Sequence, residues 1–404
     1  EGQVAVKTEQ PFELNIEVED IDNDILKVQA LNLPEWCTFD PYLLQLYGTP
    51  QRIDKGTYFI TIKADDGREV RSKRVLLDVD YGHSASQHLK EVIDTICGQK
   101  LRNLRGVSAA AIGPDGQLAT FTRGYADAAR RHELDPNHRF RVASITKLFT
   151  STLIMRLVEQ QYFELDDPVT QYLDVPGLPN GTRITIRQLL SHTAGVIDHL
   201  NHPSFYRGNW KYRTWKERDI YRFAAVRGAR FEPGQGYDYS NTGFYLLGEL
   251  VEAVLEKPLS EAFREYIFAP AGLNQTLYDD FSDRRHRIDS LADNGRGYEY
   301  HLSAVGAAGA IVATPSDVVR FGHALFTGKL VSEKGLEEMQ KDLGYEKGGD
   351  HYGLGMRIWD DHGIRHIGHT GARMGYRSIL MHLPEHETTI GLSTHHTHYL
   401  CYAL

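Results

Sequence analysis

The apolar residues change period along this chain, and that change limits what it can fold into. Over the first 80 residues the period is two. Phe12, Leu14, Ile16 and Val18 alternate with polar residues, as do Tyr58, Ile60, Ile62 and Ala64, then Val75, Leu77 and Val79. One apolar face at period two predicts half-buried strands. Turn clusters at Asp20 to Asp24, Gly48-Thr49-Pro50 and Asp65-Asp66-Gly67 separate them. Short strands at this spacing predict an all-β sandwich over residues 1–80, with Trp36 in its core. Residues 81–86 are polar and read as a linker.

The pattern then becomes mixed. Leu89, Val92, Ile93 and Ile96 mark an amphipathic helix. Residues 107–112 and 117–123 flank Pro114-Asp-Gly116 and predict a hairpin. From Ile145 the spacing is helical through Leu148, Phe149, Leu153 and Leu157. Further helical stretches run at 186–190, 244–255 and 259–267, giving a mainly helical subdomain over about 148–300. Strands return at 363–368, 376–382 and 388–394, the last two joined at Pro384-Glu385. Sequential strands with short turns favour an antiparallel sheet. The chain therefore reads as multidomain. Its second part, residues 87–404, is an α+β domain: an antiparallel sheet flanked by helices, with a helical subdomain.

Composition excludes some functions. The net charge of −9 argues against binding nucleic acid or anionic membranes, which need a basic surface. No apolar run is long enough to span a bilayer. Cys37, Cys97 and Cys401 form neither a disulfide framework nor a metal pattern. His395, His396 and His398 read as a solvated strand end rather than a metal site, and no cofactor or metal is expected. The chain starts at Glu1, without Met or an apolar leader, so a trimmed chain is expected at this end. Only a short segment follows residue 394, and the sequence leaves the C-terminus open.

Three short motifs each occur once. The first is Ser144-Ile-Thr-Lys147, at a helix start, where N–H groups and the dipole stabilise negative charge. A hydroxyl there with an amine one turn along is a way to make a serine nucleophilic. An N-cap serine with a solvated lysine is the alternative. The second is Tyr239-Ser240-Asn241. Residues i and i+2 of an extended segment share a side. The phenol could move a proton if a cation lowered its pKa, and the amide could hold a carbonyl. A buried Tyr beside an Asn that caps the next helix is the alternative. The third is His369-Thr370-Gly371, at a strand end. There the N–H of Ala372, with that of Ser144, could form an oxyanion hole. A turn glycine beside a surface histidine is the alternative.

In this order the motifs resemble those of the serine β-lactamase and penicillin-binding protein superfamily, in its class C β-lactamase and D,D-peptidase branch. The resemblance covers about residues 86–404. It extends to Phe140-Arg-Val-Ala-Ser144, Leu165-Asp-Asp-Pro168, Leu189-Leu-Ser-His-Thr-Ala-Gly195, and Gly309 with Thr314-Pro-Ser-Asp317. It implies Ser144 as the acylated nucleophile, with Lys147 and Tyr239 as the proton-transfer groups. It implies Asn241, His369, Thr370, Gly371 and Ala372 as the substrate and oxyanion side. His192 in the Ser-His-Thr-Ala-Gly block looks structural. His369 stands where β-lactamases usually carry Lys. That departure points to a peptidase acting on D-amino-acid peptides, with a carboxylesterase or weak β-lactamase as alternatives. A non-catalytic binding or sensor protein is the alternative from another class. Arg373 could replace the missing cation, although a surface arginine is the plainer reading. The expected substrate is a small peptide, ester or β-lactam, and the expected location is periplasmic or secreted.

Residues 19–67 carry a second resemblance. Glu19-Asp-Ile-Asp-Asn-Asp24, Leu33-Pro-Glu-Trp36, Tyr47-Gly-Thr-Pro50 and Ala64-Asp-Asp-Gly67 resemble cadherin-like or immunoglobulin-like modules of extracellular bacterial proteins. Such modules can bind calcium at acidic runs, but for one module alone a turn rich in Asp is the preferred reading. The partner expected for it is cell wall or protein.

Overall fold

The computed structural model describes residues 2–18, 26–80, 104–127, 129, 131–207, 213–279, 301–341, 343, 351–361, 363–373 and 375–396. The expected linker, the helix at 89–96, the Asp20–Asp24 turn and the chain end lie outside them. The chain divides into two compact units, Glu1–His88 and Leu89–Leu404.

The first unit holds strands β1 (Gly2–Lys7), β2 (Phe12–Asn15), β3 (Lys27–Leu31), β4 (Cys37–Asp40), β5 (Gln45–Gly48), β6 (Gly56–Asp65) and β7 (Val70–Asp80). They form one sheet ordered β1-β7-β6-β3 and another ordered β2-β5-β4. The period-two positions face inward from both. Leu46, Ile60 and Leu77 are fully buried in one shared core. Trp36 meets Phe12 and Tyr58 edge-on at 5.5 and 5.6 Å. The turn at Asp65-Asp66-Gly67 follows from its residues. Gly67 has φ +85°, and the Asp66 carboxylate accepts the N–H groups of Arg68 and Glu69 at 2.7 and 2.6 Å. Those bonds hold the Asp66 carboxyl below its usual range.

The second unit is built on β8 (Leu104–Ile112), β9 (Leu118–Gly124), β10 (Phe140–Arg141), β11 (Leu277–Tyr278), β12 (Ile311–Ala313), β13 (His351–Tyr352), β14 (Arg357–Asp361), β15 (Ile364–Arg373), β16 (Tyr376–Leu383) and β17 (Thr388–His396). Seven form an antiparallel sheet ordered β13-β14-β15-β16-β17-β8-β9. The α-helices of five residues or more are α1 (Thr146–Glu159), α2 (Ile186–Leu190), α3 (Glu217–Arg227), α4 (Asn241–Leu255), α5 (Leu259–Phe263), α6 (Pro315–Phe326) and α7 (Glu333–Met339).

Helix α1 is central and almost wholly buried. Phe149 stacks on Phe321 of α6 at 3.6 Å and meets Phe268 edge-on at 6.2 Å. Its threonines fix the turn that faces it. Thr150 donates to the Ala307 carbonyl at 2.8 Å, and Thr146 Oγ1 accepts the Ile311 N–H at 3.1 Å. Small residues admit α6 to the sheet: a Cβ on Gly322 would lie 2.8 Å from Leu380.

The fold departs from expectation in three places. The described residues of 160–216 contain one short α-helix, α2, rather than a mainly helical run. Left-handed Gln161, Asn180 and His192 and the turns at Gly177 and Gly195 break the helical path there. Helices α6 and α7 lie beyond residue 300, outside the expected helical subdomain. Strand β15 continues to Arg373, so His369-Thr370-Gly371 lies within the strand. Strand β14, with its polar Asp360 and Asp361, has no clear period and went unread.

Candidate active site

Ser144 sits in a single tight turn, Ala143–Ile145, that leads into α1. Its side chain caps neither this turn nor α1, which removes the N-cap alternative. The preceding residue, Ala143, has φ +47°. That left-handed conformation costs a non-glycine residue about 1–2 kcal/mol and concentrates at functional sites. The turn is pressed onto β15. A Cβ on Gly371 would lie 1.9 Å from the Val142 carbonyl oxygen, so only glycine allows the approach. Among the described residues β14 pairs with β15 no further than Gly368, which leaves residues 369–373 without a strand partner on that side.

Lys147 is fully buried rather than solvated. Its Nζ donates to Asn241 Oδ1 and to the Ala308 carbonyl, both at 2.8 Å, and lies 3.3 Å from Ser144 Oγ. Burial holds its pKa well below the usual range, with Arg373 and Arg357 adding to the effect and Asp198 opposing it. Burial thus favours the neutral amine over the ammonium form. Two of its tetrahedral directions carry N–H donors to Asn241 and Ala308. The third, the lone pair, is left for the Ser144 hydroxyl.

Tyr239 and Asn241 flank the start of α4 on the same side. Asn241 is not the cap expected of a turn asparagine. Ser240 caps α4 through the Gly243 N–H at 3.2 Å, which frees the Asn241 amide to bridge Lys147 and Asp198. The Tyr239 ring lies 4.9 Å from Lys147 Nζ and its hydroxyl pairs with Ser144. Burial raises the Tyr239 pKa, although Ser144 and the nearby arginines oppose it. The sequence made proton transfer by the phenol conditional on a cation lowering its pKa; burial outweighs the arginines that act in that direction. His192 is structural, as expected: its Nδ1 accepts the Ser240 N–H at 3.1 Å and its ring lies 4.3 Å from that of Tyr239.

His369 is also buried. A carbonyl can only accept, so the 2.6 Å contact to the Thr370 carbonyl places the proton on Nδ1. Nε2 then accepts the Tyr352 hydroxyl at 3.0 Å. Burial, with Arg357 and Lys147, holds the His369 pKa well below its usual value. The ring is neutral and both nitrogens are occupied, so it carries no charge for a substrate.

A cavity of about 470 Å³ opens in front of Ser144. Tyr239, Asn241, His369, Thr370, Gly371 and Ala372 line it, while Lys147 lies behind the wall. Arg141, Arg357, Arg373 and Arg377 also line it, and among the described residues no Asp or Glu does. Arg141 is paired with Asp279 at 2.9 Å. Arg373 is half-buried and donates to the Leu200 carbonyl and Asn201 Oδ1 at 3.2 and 3.3 Å, so it is a pocket residue and not the surface arginine expected. His395 is likewise not a solvated strand end. It is buried, and Nε2 donates to the Tyr125 carbonyl at 2.7 Å.

The chain matches the family described as Beta-lactamase over residues 94–400. It belongs to that family. Penicillin-binding protein 4* of Bacillus subtilis (strain 168) is 28% identical over 328 residues, covering 75% of this chain and 70% of that one. D-alanyl-D-alanine-carboxypeptidase/endopeptidase AmpH of Escherichia coli (strain K12) is 25% identical, covering 64% and 67%. The solved D-amino acid amidase from Ochrobactrum anthropi SV3, complexed with L-phenylalanine, is 30% identical with a TM-score of 0.67, covering 76% and 91%. This beta-lactamase-family chain is a serine hydrolase. Among its described residues no helix is long and apolar enough to cross a membrane.

Sequence reasoning missed Asp198, the Ala308 carbonyl, Tyr352 and Arg357. A lone carboxylate inside the apolar run Val196-Ile-Asp-His-Leu200 was a readable signal for the first. A backbone carbonyl has no side-chain signature at all.

Proposed function

We propose that this enzyme cleaves D-amino-acid peptides through a Ser144 acyl-enzyme, in the manner of a D,D-carboxypeptidase. The observation that carries the reading is the buried Lys147 Nζ, held by Asn241 Oδ1 and the Ala308 carbonyl at 2.8 Å each and 3.3 Å from Ser144 Oγ. Lys147 takes the serine proton as Oγ attacks the acyl carbon. The N–H groups of Ser144 and Ala372 receive the oxyanion. Tyr239, a neutral phenol, hands its proton to the leaving amine and regains one from Lys147. Water then follows the same path in reverse and releases the acid.

The leaving group's chemistry follows from the pocket charges. With His369 neutral, Arg357 and Arg373 are cavity-lining cations whose charge reaches Lys147 and Tyr239, and among the described residues no acidic side chain lines the cavity. That supports a substrate ending in a free carboxylate over an amino-acid amide, whose ammonium group would find no anion there. The likeness to carboxypeptidase AmpH supports the same choice. We assign the first unit to the cadherin-like or immunoglobulin-like class on its two-sheet core and its Asp65-Asp66-Gly67 turn, and the likeness to a penicillin-binding protein and AmpH supports a place outside the cytoplasm.

Intact-mass analysis after treatment with a fluorophosphonate tests the nucleophile. One adduct on Ser144, absent from Ser144→Ala, is expected. No adduct, or full activity in Ser144→Ala, would sink the reading. A panel of D-Ala-D-Ala peptides, D-amino-acid amides, nitrocefin and p-nitrophenyl esters ranks substrates, with the peptide carrying a free carboxylate expected to lead.

A further inference from the structure

Asp198 is a buried carboxylate that does not line the cavity. It lies in the loop after α2 and accepts bonds from neutral donors. The Leu200 N–H approaches Oδ1 at 3.0 Å, the Asn201 amide reaches Oδ2, and Asn241 Nδ2 lies 3.2 and 3.0 Å from the two oxygens. A salt bridge is not formed with Lys147, because the Asn241 amide stands between them.

An asparagine amide has one donor end and one acceptor end of nearly equal shape, and packing alone does not choose between its two orientations. A carboxylate chooses, because it can only accept. With Asp198 on one side, Nδ2 must face it, and Oδ1 must face Lys147. The reversed amide would set oxygen against oxygen at Asp198 and turn an N–H donor toward Lys147.

We propose that Asp198 is a positioning residue for acylation: by fixing the Asn241 amide it holds the Lys147 lone pair on Ser144. This rests on the acylation reading above. With Oδ1 and the Ala308 carbonyl taking both N–H groups, the lone pair has one direction left. If the amide reversed, its N–H would compete with Ser144 for that lone pair.

The charge of Asp198 has a second effect. The ionisable groups facing Lys147 are Asp198 and His192 from the loop after α2, Tyr239 before α4, Arg357 on β14, and His369 and Arg373 on β15. Of these, Asp198 alone is acidic. It raises the Lys147 pKa against burial and the two arginines.

The experiment measures the rate of Ser144 labelling by a fluorophosphonate from about pH 5 to pH 9, where the acid limb reports the base. In Asp198→Asn the new amide can donate, so Asn241 can reverse. The labelling rate is expected to fall about 100-fold, within the range set by loss of a general base. The acid limb is expected to move to lower pH, since the charge that held the Lys147 proton is gone. Asp198→Glu keeps an acceptor-only group and its charge, and should keep the wild-type limb. A limb unmoved in Asp198→Asn, or a rate within threefold of wild type, overturns the proposal. So does a limb in Asp198→Glu that moves down, which also decides the matter if the Asn variant does not fold. Failure of wild type to label on Ser144 instead overturns the acylation reading itself, and the two failures are distinct.

Discussion

At the scale of single residues, the proposed chemistry turns on the buried Lys147 amine. Its depressed pKa follows from burial first. The base is therefore active above that pKa and is lost as pH falls through it. Lys147→Arg should lower acylation by more than about 1,000-fold at every pH up to 9, because a guanidinium does not deprotonate. Stopped-flow labelling of Ser144 checks this, and a variant within tenfold of wild type would refute the amine's role. The fixed spacing of Ser144 and Lys147 is a local signal, with Ser144 in the turn that leads into α1 and Lys147 in its first turn. The direction of the lone pair was not readable. It depends on a carbonyl at Ala308 and an amide at Asn241, brought in from 161 and 94 residues away.

At the scale of elements, the site exists because a helix start is pressed against a strand. Gly371 is the contact point, with the Val142 carbonyl where any Cβ would be. Gly371→Ala should push β15 off the Ser144 turn, costing several kcal/mol if the elements do not separate and most of the activity if they do. Thermal unfolding and labelling together measure both. A stable, fully active variant would show that the approach is not needed. The hairpin at 104–124 and the strands after 363 were legible because period two is local. The run of β15 through the motif was not, since it relies on β16 for its partner. Residues 160–216 fell within the span read as mainly helical, and left-handed residues break the helical path there.

At the scale of the whole molecule, buried histidines couple stability to acid. Burial holds His192 and His369 well below 6.5 and pushes His199 and His382 down to about 4. Each stays neutral in the fold, whereas the unfolded chain takes up a proton below 6.5. The unfolded state then binds more protons, so stability falls as pH drops from 6.5 toward 4. Each histidine contributes up to about 1.4 kcal/mol per pH unit. Tm should fall by more than about 5 °C between pH 6.5 and 5, read by calorimetry; a flat or rising Tm would contradict neutral burial. The change of period marks off the β part of the sequence, but it carries no signal for the partner of the first strand. Strand β1 runs parallel to β7, from Gly2 beside Val75 to Lys7 beside Asp80. Residue 2 and residue 80 therefore leave the first unit from opposite poles of one ladder. Tension applied between them loads its backbone bonds together in shear instead of one after another, the geometry of a module that resists being pulled apart.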